Sequence, residues 1–457
     1  MGSLKLIARI LASTLLYSPL HAEELIPPEN IEVEILHQAP VHGKGDTGSV
    51  WASSVLADGE AVVFGWFNPE NQYVVGKWEP NGKVQTTVIG VADGRVHDKM
   101  SPSLGLDSRG HYHLSAGMHN GGWQYWVSDQ PHSIDSFAKI TYGRGTAYPP
   151  GDKITYPRFT TGPAGALYLS YRTRSASGGL LETTGANEPG QKSQSAGLLG
   201  GALAKSTDGQ TWESLGANAP MKSPLLPVLI WESSGRSEDD GAPGWYQTFR
   251  NKANFDAKGN LHYAGIGYGP GSRSAGVKNG ATYLIYAKSR DGGKTYEKAD
   301  GSPVPKLPLT SQSADLLLTA EPGDLSTDLS VGADRDGNPI IFYEKGNPGE
   351  GFMARWTATK GWVHQPVPVG EAAVIDSQGR ITGISKDGSL LRSTDLGETW
   401  QVATIGEDTY TSASDRVNFD PAQALHSGQI LLRRIVRDTE GQSLMQVIRV
   451  TFKEPAD

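Results

Sequence analysis

Ser206-Thr207-Asp208-Gly209-Gln210-Thr211-Trp212, Ser289-Arg290-Asp291-Gly292-Gly293-Lys294-Thr295-Tyr296 and Ser393-Thr394-Asp395-Leu396-Gly397-Glu398-Thr399-Trp400 are three renderings of one turn. In each, an Asp carboxylate is placed to accept backbone N–H groups, glycine supplies a positive φ, and an aromatic residue follows that can pack the hairpin onto its sheet. Three copies in one chain make chance a poor source and point to repeated hairpins.

A second turn recurs between strand-like runs. It occupies Asp58-Gly59 and then 107–110, 162–165, 256–259, 334–337 and 376–379, each of the last five ending in Gly. Most gaps are roughly 40 to 80 residues, the scale of one or two blades of a propeller. Glycine contributes 57 of the 457 residues and no long stretch shows helical period, so short strands joined by tight turns suit the composition. The first three segments look like Asp-boxes. The expected fold is all-β, a seven-bladed β-propeller, since four-stranded blades divide the chain into about seven. A β-sandwich with appended domains would bring its turns closer together. Segments 178–201 and 233–244, rich in Gly and polar residues, read as loops on the rim.

The N-terminal residues carry Lys5 and Arg9, an apolar run over 6–16 and Ala22 before an acidic pair. That pattern predicts a secretory signal peptide over 1–22, one propeller domain over 23–457, and a secreted or periplasmic protein. No later segment is apolar enough to span a bilayer, so no membrane partner is expected. The absence of cysteine excludes disulfides, thiolate metal sites and a Cys nucleophile. A formal charge of −8 argues against bulk nucleic-acid binding, and a polyanionic ligand would need a local basic cleft.

Groups suited to polar catalysis concentrate between residues 95 and 175. His97 precedes a strand, His119 ends the next, Tyr156 opens Tyr156-Pro157-Arg158-Phe159, and Arg172 ends the alternating run over 167–172. Alternation puts Leu167, Leu169 and Tyr171 on one face and Tyr168, Ser170 and Arg172 on the other, so Arg172 leaves the apolar side. In a propeller such strand ends converge on a mouth near the axis.

His97, His119, the 156–159 segment and Tyr171-Arg172 together resemble the active-site signature of the seven-bladed propeller ulvan lyases. The Asp-boxes and blade spacing extend the resemblance over nearly the whole chain after residue 22. It implies β-elimination in ulvan, a sulfated algal polysaccharide with uronic acid linked to rhamnose 3-sulfate. Such chemistry removes a weakly acidic proton beside a carboxylate and protonates the departing glycosidic oxygen. The resemblance assigns Tyr156 and either His119 or His97 to proton transfer, and Arg172 to neutralising the carboxylate. A free Tyr, with a pKa of about 10, is a poor base near neutrality, but cations beside it favour phenolate. Tyr246 corresponds to a further active-site Tyr of the family. Arg95, Lys99, Arg158, Arg174, Arg250, Lys252 and Arg273 are candidates to bind sulfate or uronate oxygens. The chemistry requires no cofactor, a structural divalent metal ion stays open, and a monomer is expected.

Blander readings stand beside these. His97, His119 or Tyr156 alone is as readily a packed residue, and Arg172 a structural ion pair. His113 and His262 fall at equivalent points after two of the recurring turns, and that repetition favours a structural role over a metal site. His111 has no distinctive signal, and Asp208, Asp291 and Asp395 read as turn-formers. Two rival functions remain. A glycoside hydrolase would use paired carboxylates or, as in sialidases, a Tyr nucleophile with an Arg triad and an early Phe-Arg-Ile-Pro-like motif, absent here. A non-catalytic glycan-binding propeller would need aromatic platforms but no proton-transfer set.

Overall fold

A computed structural model of the chain describes residues 24–27, 30–43, 51–92, 101–118, 122–141, 154–174, 199–217, 229–230, 247–268, 283–321, 324–326, 328–346, 350–403, 405 and 417–453. Seven sheets arrange as a β-propeller. After β1 (Glu24–Leu25) and β2 (Ile31–Pro40), blade one holds β3 (Val55–Asp58), β4 (Ala61–Phe67), β5 (Gln72–Trp78) and β6 (Val84–Val91). Blade two holds β7 (Ser103–Leu106), β8 (Tyr112–Ser115), β9 (Tyr125–Ser128) and β10 (Phe137–Ile140). Blade three holds β11 (Ile154–Thr161), β12 (Leu167–Arg174), β13 (Leu199–Ser206) and β14 (Glu213–Ser214). Blade four is β15 (Gln247–Phe255), β16 (Leu261–Tyr268), β17 (Tyr283–Ser289) and β18 (Asp315–Thr319). Blade five is β19 (Ser330–Ala333), β20 (Pro339–Lys345), β21 (Glu350–Thr357) and β22 (Gly361–Pro366). Blade six is β23 (Val369–Ile375), β24 (Ile381–Ser385), β25 (Leu390–Ser393) and β26 (Gln401–Ala403), with β1 added in parallel at its edge. The last blade runs from β27 (Val417–Phe419) through helix α1 (Pro421–Ser427) to β28 (Ile430–Arg437) and β29 (Ser443–Phe452).

Strand order within each blade follows the chain, except that β2 supplies the fourth strand of the last blade. Its register runs from Ile31 opposite Phe452 to Pro40 opposite Leu444, so the two ends of the described chain lock the ring in one ladder. The ring leaves only short outer edges on its blades, and this shared ladder keeps the first and last parts of the chain together. Among the described residues no helix is long and apolar enough to cross a membrane.

The recurring Asp/Gly turns are one structural device. They join the first strand to the second in blades one to six, and in the last blade Asp420, α1 and Gly428 take that place. Asp107, Asp256, Asp334 and Asp376 each accept two backbone N–H groups on Oδ1, at 2.8–3.0 Å. Gly110, Gly259, Gly337 and Gly379 close these turns at φ of 80–85°, a region that favours glycine.

The Asp-boxes lie between the third and fourth strands of blades three, four and six. Asp291 Oδ1 accepts from Lys294 and Thr295 at 3.0 and 2.9 Å, and Asp395 Oδ1 accepts from Thr399 at 2.9 Å. Trp212, Tyr296 and Trp400 are buried as the motif requires. The boxes also tie blades together: Tyr125 donates to the Gly209 carbonyl at 2.6 Å, Tyr168 to that of Gly292 at 3.2 Å and Gln365 to that of Gly397 at 3.1 Å.

Each blade is covered on both faces. Leu167, Leu169 and Tyr171 of β12 pack with Tyr125 and Val127 of blade two, whereas Tyr168 packs with Tyr263 and Ile285 of blade four. Burying each such side chain contributes about 1.5–3 kcal/mol. The expectation that the Tyr168–Ser170–Arg172 face is polar is therefore corrected: it too is interior, and Arg172 is 5% exposed. Two sequence expectations on connections change as well. Leu199, Gly200 and Gly201 belong to β13 and not to a loop, while 175–198 and 233–244 lie outside the described residues. Strand β8 ends at Ser115, short of His119.

Candidate active site

The inner strand of blade three is broken where the sequence places its phenol. Thr155 pairs with Arg172 and Arg158 with Ser170, so Tyr156 and Pro157 form a bulge. Proline, lacking an N–H, suits a point where the ladder is interrupted. Tyr156 adopts φ 57°, a left-handed conformation costing ~1–2 kcal/mol for a residue with a Cβ.

Two serines from neighbouring blades hold the bulge. Ser103 Oγ, in β7, donates to the Pro157 carbonyl at 2.5 Å and accepts from Ser53 N at 3.2 Å. Ser53 Oγ, just before β3, donates to the Leu104 carbonyl at 2.9 Å and accepts from Phe159 N at 3.2 Å. Their buried hydroxyls thus satisfy the carbonyl of Pro157 in the bulge and the N–H of Phe159 beyond it. Sequence reasoning missed both serines; a serine within or just before an otherwise apolar inner strand was the available signal.

Tyr156 is 4% exposed and meets two cations and an indole. The guanidinium carbons of Arg172 and Arg250 each lie 4.7 Å from its ring centroid, and Trp51 contacts it edge-on at 5.2 Å. Arg172 comes from β12 of the same blade. Arg250 comes from β15 of the next, which is bulged between Thr248 and Arg250. A third bulge, in β23 between Val369 and Ala373, carries Glu371.

Behind these residues lies a buried charge cluster. Asp328, just before β19, forms ion pairs with Arg250 and, at 3.2 Å, with Lys252 Nζ. Burial alone would raise its carboxyl, but Lys252 and Arg250 hold it below the ordinary value. Burial pushes Lys252 down to about 8 and Glu371 up to about 8, the latter reinforced by Asp328. Arg158 is pushed down to about 10 by burial, opposed by Asp328 and Asp420. Asp328 and Glu371 carried no signal of their own beyond an acidic residue among apolar neighbours.

Of the residues expected to act, the structure brings Tyr156, Arg172 and Arg250 into direct contact and sets Arg158 and Lys252 in the adjoining charge cluster. Only the backbone of Arg174 is described, at the end of β12. His97, His119, Tyr246, Arg95, Lys99 and Arg273 lie outside the described residues.

His113 and His262 have structural environments. His113 is fully buried, with Nδ1 2.6 Å from the Tyr125 hydroxyl and Nε2 3.4 Å from Asp107. His262 repeats this with Tyr286 at 2.7 Å and Asp256 at 3.1 Å. Burial lowers both imidazoles against the opposing pull of their aspartates. Among the described residues no group of three His, Cys, Asp or Glu side chains is arranged to hold a metal.

Residues 61–368 match the model of a family described as BNR repeat-containing. No curated protein matches the chain. Among solved structures, an ulvan lyase of polysaccharide lyase family PL25, bound to -[GlcA(1-4)Rha3S]-, aligns at a TM-score of 0.63 and 15% identity, over 90% of this chain and 94% of that one. Polysaccharide lyase Uly1 aligns at 0.62 and 12% identity, over 88% and 90%. These likenesses show a shared fold.

Proposed function

This chain belongs to the BNR repeat-containing family, and from that premise we propose that it is a polysaccharide lyase that cleaves an anionic, uronate-containing polymer, ulvan, by β-elimination. The observation that carries the reading is the buried Tyr156, set on a bulge with the guanidinium groups of Arg172 and Arg250 against its ring. The solved lyases of like fold, one bound to a glucuronate–sulfated rhamnose unit, support it as relatives in architecture.

The chemistry assigns each group a task. A base takes the proton from uronate C5, the electron pair forms the C4–C5 double bond, the C4–O bond breaks, and an acid protonates the departing oxygen. Tyr156 serves in this proton transfer together with His119 or His97. Two cations stand at its ring, placed to meet negative charge that develops there in the transition state. Arg172 neutralises the uronate carboxylate, on which negative charge grows as the proton leaves. Arg250, Arg158, Arg174, Arg95 and Lys99 contribute the positive field that draws an anionic chain to an acidic protein, and Tyr246 lines the sugar site. The chemistry runs without a cofactor, and the protein acts outside the cytoplasm as a monomer.

Incubation of the purified protein with ulvan and with other uronate polymers tests this reading. The unsaturated uronyl end absorbs near 235 nm. The expected result is a rise at that wavelength with ulvan; reducing sugar released without it indicates a hydrolase, and binding without either product a glycan-binding propeller.

A further inference from the structure

Asp328 has no part in the roles just assigned, yet it carries the ion pairs of two axial cations. We propose that Asp328 is the positioning residue for Arg250, fixing its guanidinium against the Tyr156 ring; the proposal rests on the lyase reading above. The three residues come from successive blades: Asp328 enters the inner strand of blade five, Arg250 lies on that of blade four and Tyr156 on that of blade three. Both carboxylate oxygens are engaged. Oδ2 faces Arg250, while Oδ1 faces Lys252 Nζ at 3.2 Å and accepts from Leu329 N at 3.0 Å.

Asp328 is fully buried, so it reaches no polymer and acts through Arg250. Arginine has a long, rotamer-rich side chain, and a bidentate-capable head held by a fixed carboxylate loses that freedom before substrate arrives. The 4.7 Å approach of Arg250 to the Tyr156 ring is then a prepared geometry. A guanidinium so held is already in place for negative charge that develops beside it in the transition state. Its loss should therefore weigh on turnover more than on binding.

The test is steady-state kinetics of Asp328→Asn on the polymer that the wild type cleaves, with Arg250→Lys and the double variant alongside. In Asp328→Asn, kcat falls roughly tenfold or more while KM changes less than about threefold. The double variant is no slower than Arg250→Lys alone, because both substitutions remove one interaction. Wild-type kcat in Asp328→Asn, or losses that multiply in the double variant, overturns the proposal. Should Asp328→Asn fail to fold, Lys252→Met/Asp328→Asn removes the carboxylate with one of its cations and reads the same split. A wild type that forms no 235 nm product from any uronate polymer overturns the lyase reading and this inference with it; an active wild type with an undiminished Asp328 variant overturns only the inference.

Discussion

Asp420 Oδ2 accepts the backbone N–H of Ala57 at 2.8 Å across 363 residues of sequence, joining the last blade to the first at the inner ring. Its other oxygen accepts from Ala422 and Gln423 at 3.0 and 3.1 Å, so the same carboxylate caps α1. Closure at the rim by β2 and closure at the axis by Asp420 are thus separate devices.

Asp420→Ala removes three acceptor contacts from a buried site. A lost helix cap costs about 1 kcal/mol and a buried N–H left without an acceptor about 1–3 kcal/mol. The expected destabilisation is on the order of 2–4 kcal/mol in chemical denaturation. An unchanged midpoint would show that the rim ladder alone closes the ring.

The two Asp–His–Tyr sets make stability sensitive to acid. His113 and His262 are lowered from 6.5 in the folded protein, so between that value and their folded one the unfolded chain binds more protons. Their contribution is complete above pH 6.5 and is lost as pH falls below it, by up to about 1.4 kcal/mol per pH unit for each. Asp256, held at about 2 although burial opposes it, by His262 and Asn260, adds its loss only below its ordinary 3.8. Thermal melting from about pH 7.5 to about pH 5.5 should show a falling Tm. A flat profile contradicts the burial of these imidazoles.

Gly351 lies where blade five meets blade six. A Cβ there would stand 1.9 Å from the Val369 carbonyl oxygen and 2.7 Å from that of Val367. Gly351→Ala therefore forces the blades apart and should cost about 1–3 kcal/mol or more. At Gly90 a Cβ meets only ordinary contacts, the nearest at 3.5 Å on Trp126, so Gly90→Ala is the control. Equal melting temperatures for the two variants would refute the packing argument.

Arg172→Lys keeps the charge but loses the planar fork. With the carboxylate role proposed for Arg172, kcat/KM should fall by about ten- to a hundredfold while Tm stays within a few degrees. Unchanged kinetics would remove Arg172 from the site.

Much of the architecture was legible because turns are local chemistry. Asp107 and Gly110, or Asp291 and Thr295, are close in sequence, and their hydrogen bonds follow from that spacing. Tyr156 and Arg172 were legible for a similar reason, since a single hairpin brings them together. The cluster behind them was not. Arg250, Asp328 and Glu371 meet only because blades four, five and six converge on one axis, and no spacing along the chain encodes that meeting. The polarity of the Arg172 face was misread for a related reason. Alternation identifies two faces of β12, but only the ring decides that the second is covered by blade four.

The phenol of Tyr156 is the centre of the account, and Tyr156→Phe deletes one oxygen while leaving the ring between Trp51, Arg172 and Arg250. With ulvan as substrate and absorbance near 235 nm as the readout, elimination should fall at least about a hundredfold in a variant that melts as the wild type does. Turnover near the wild-type rate in that folded variant would contradict proton transfer by Tyr156.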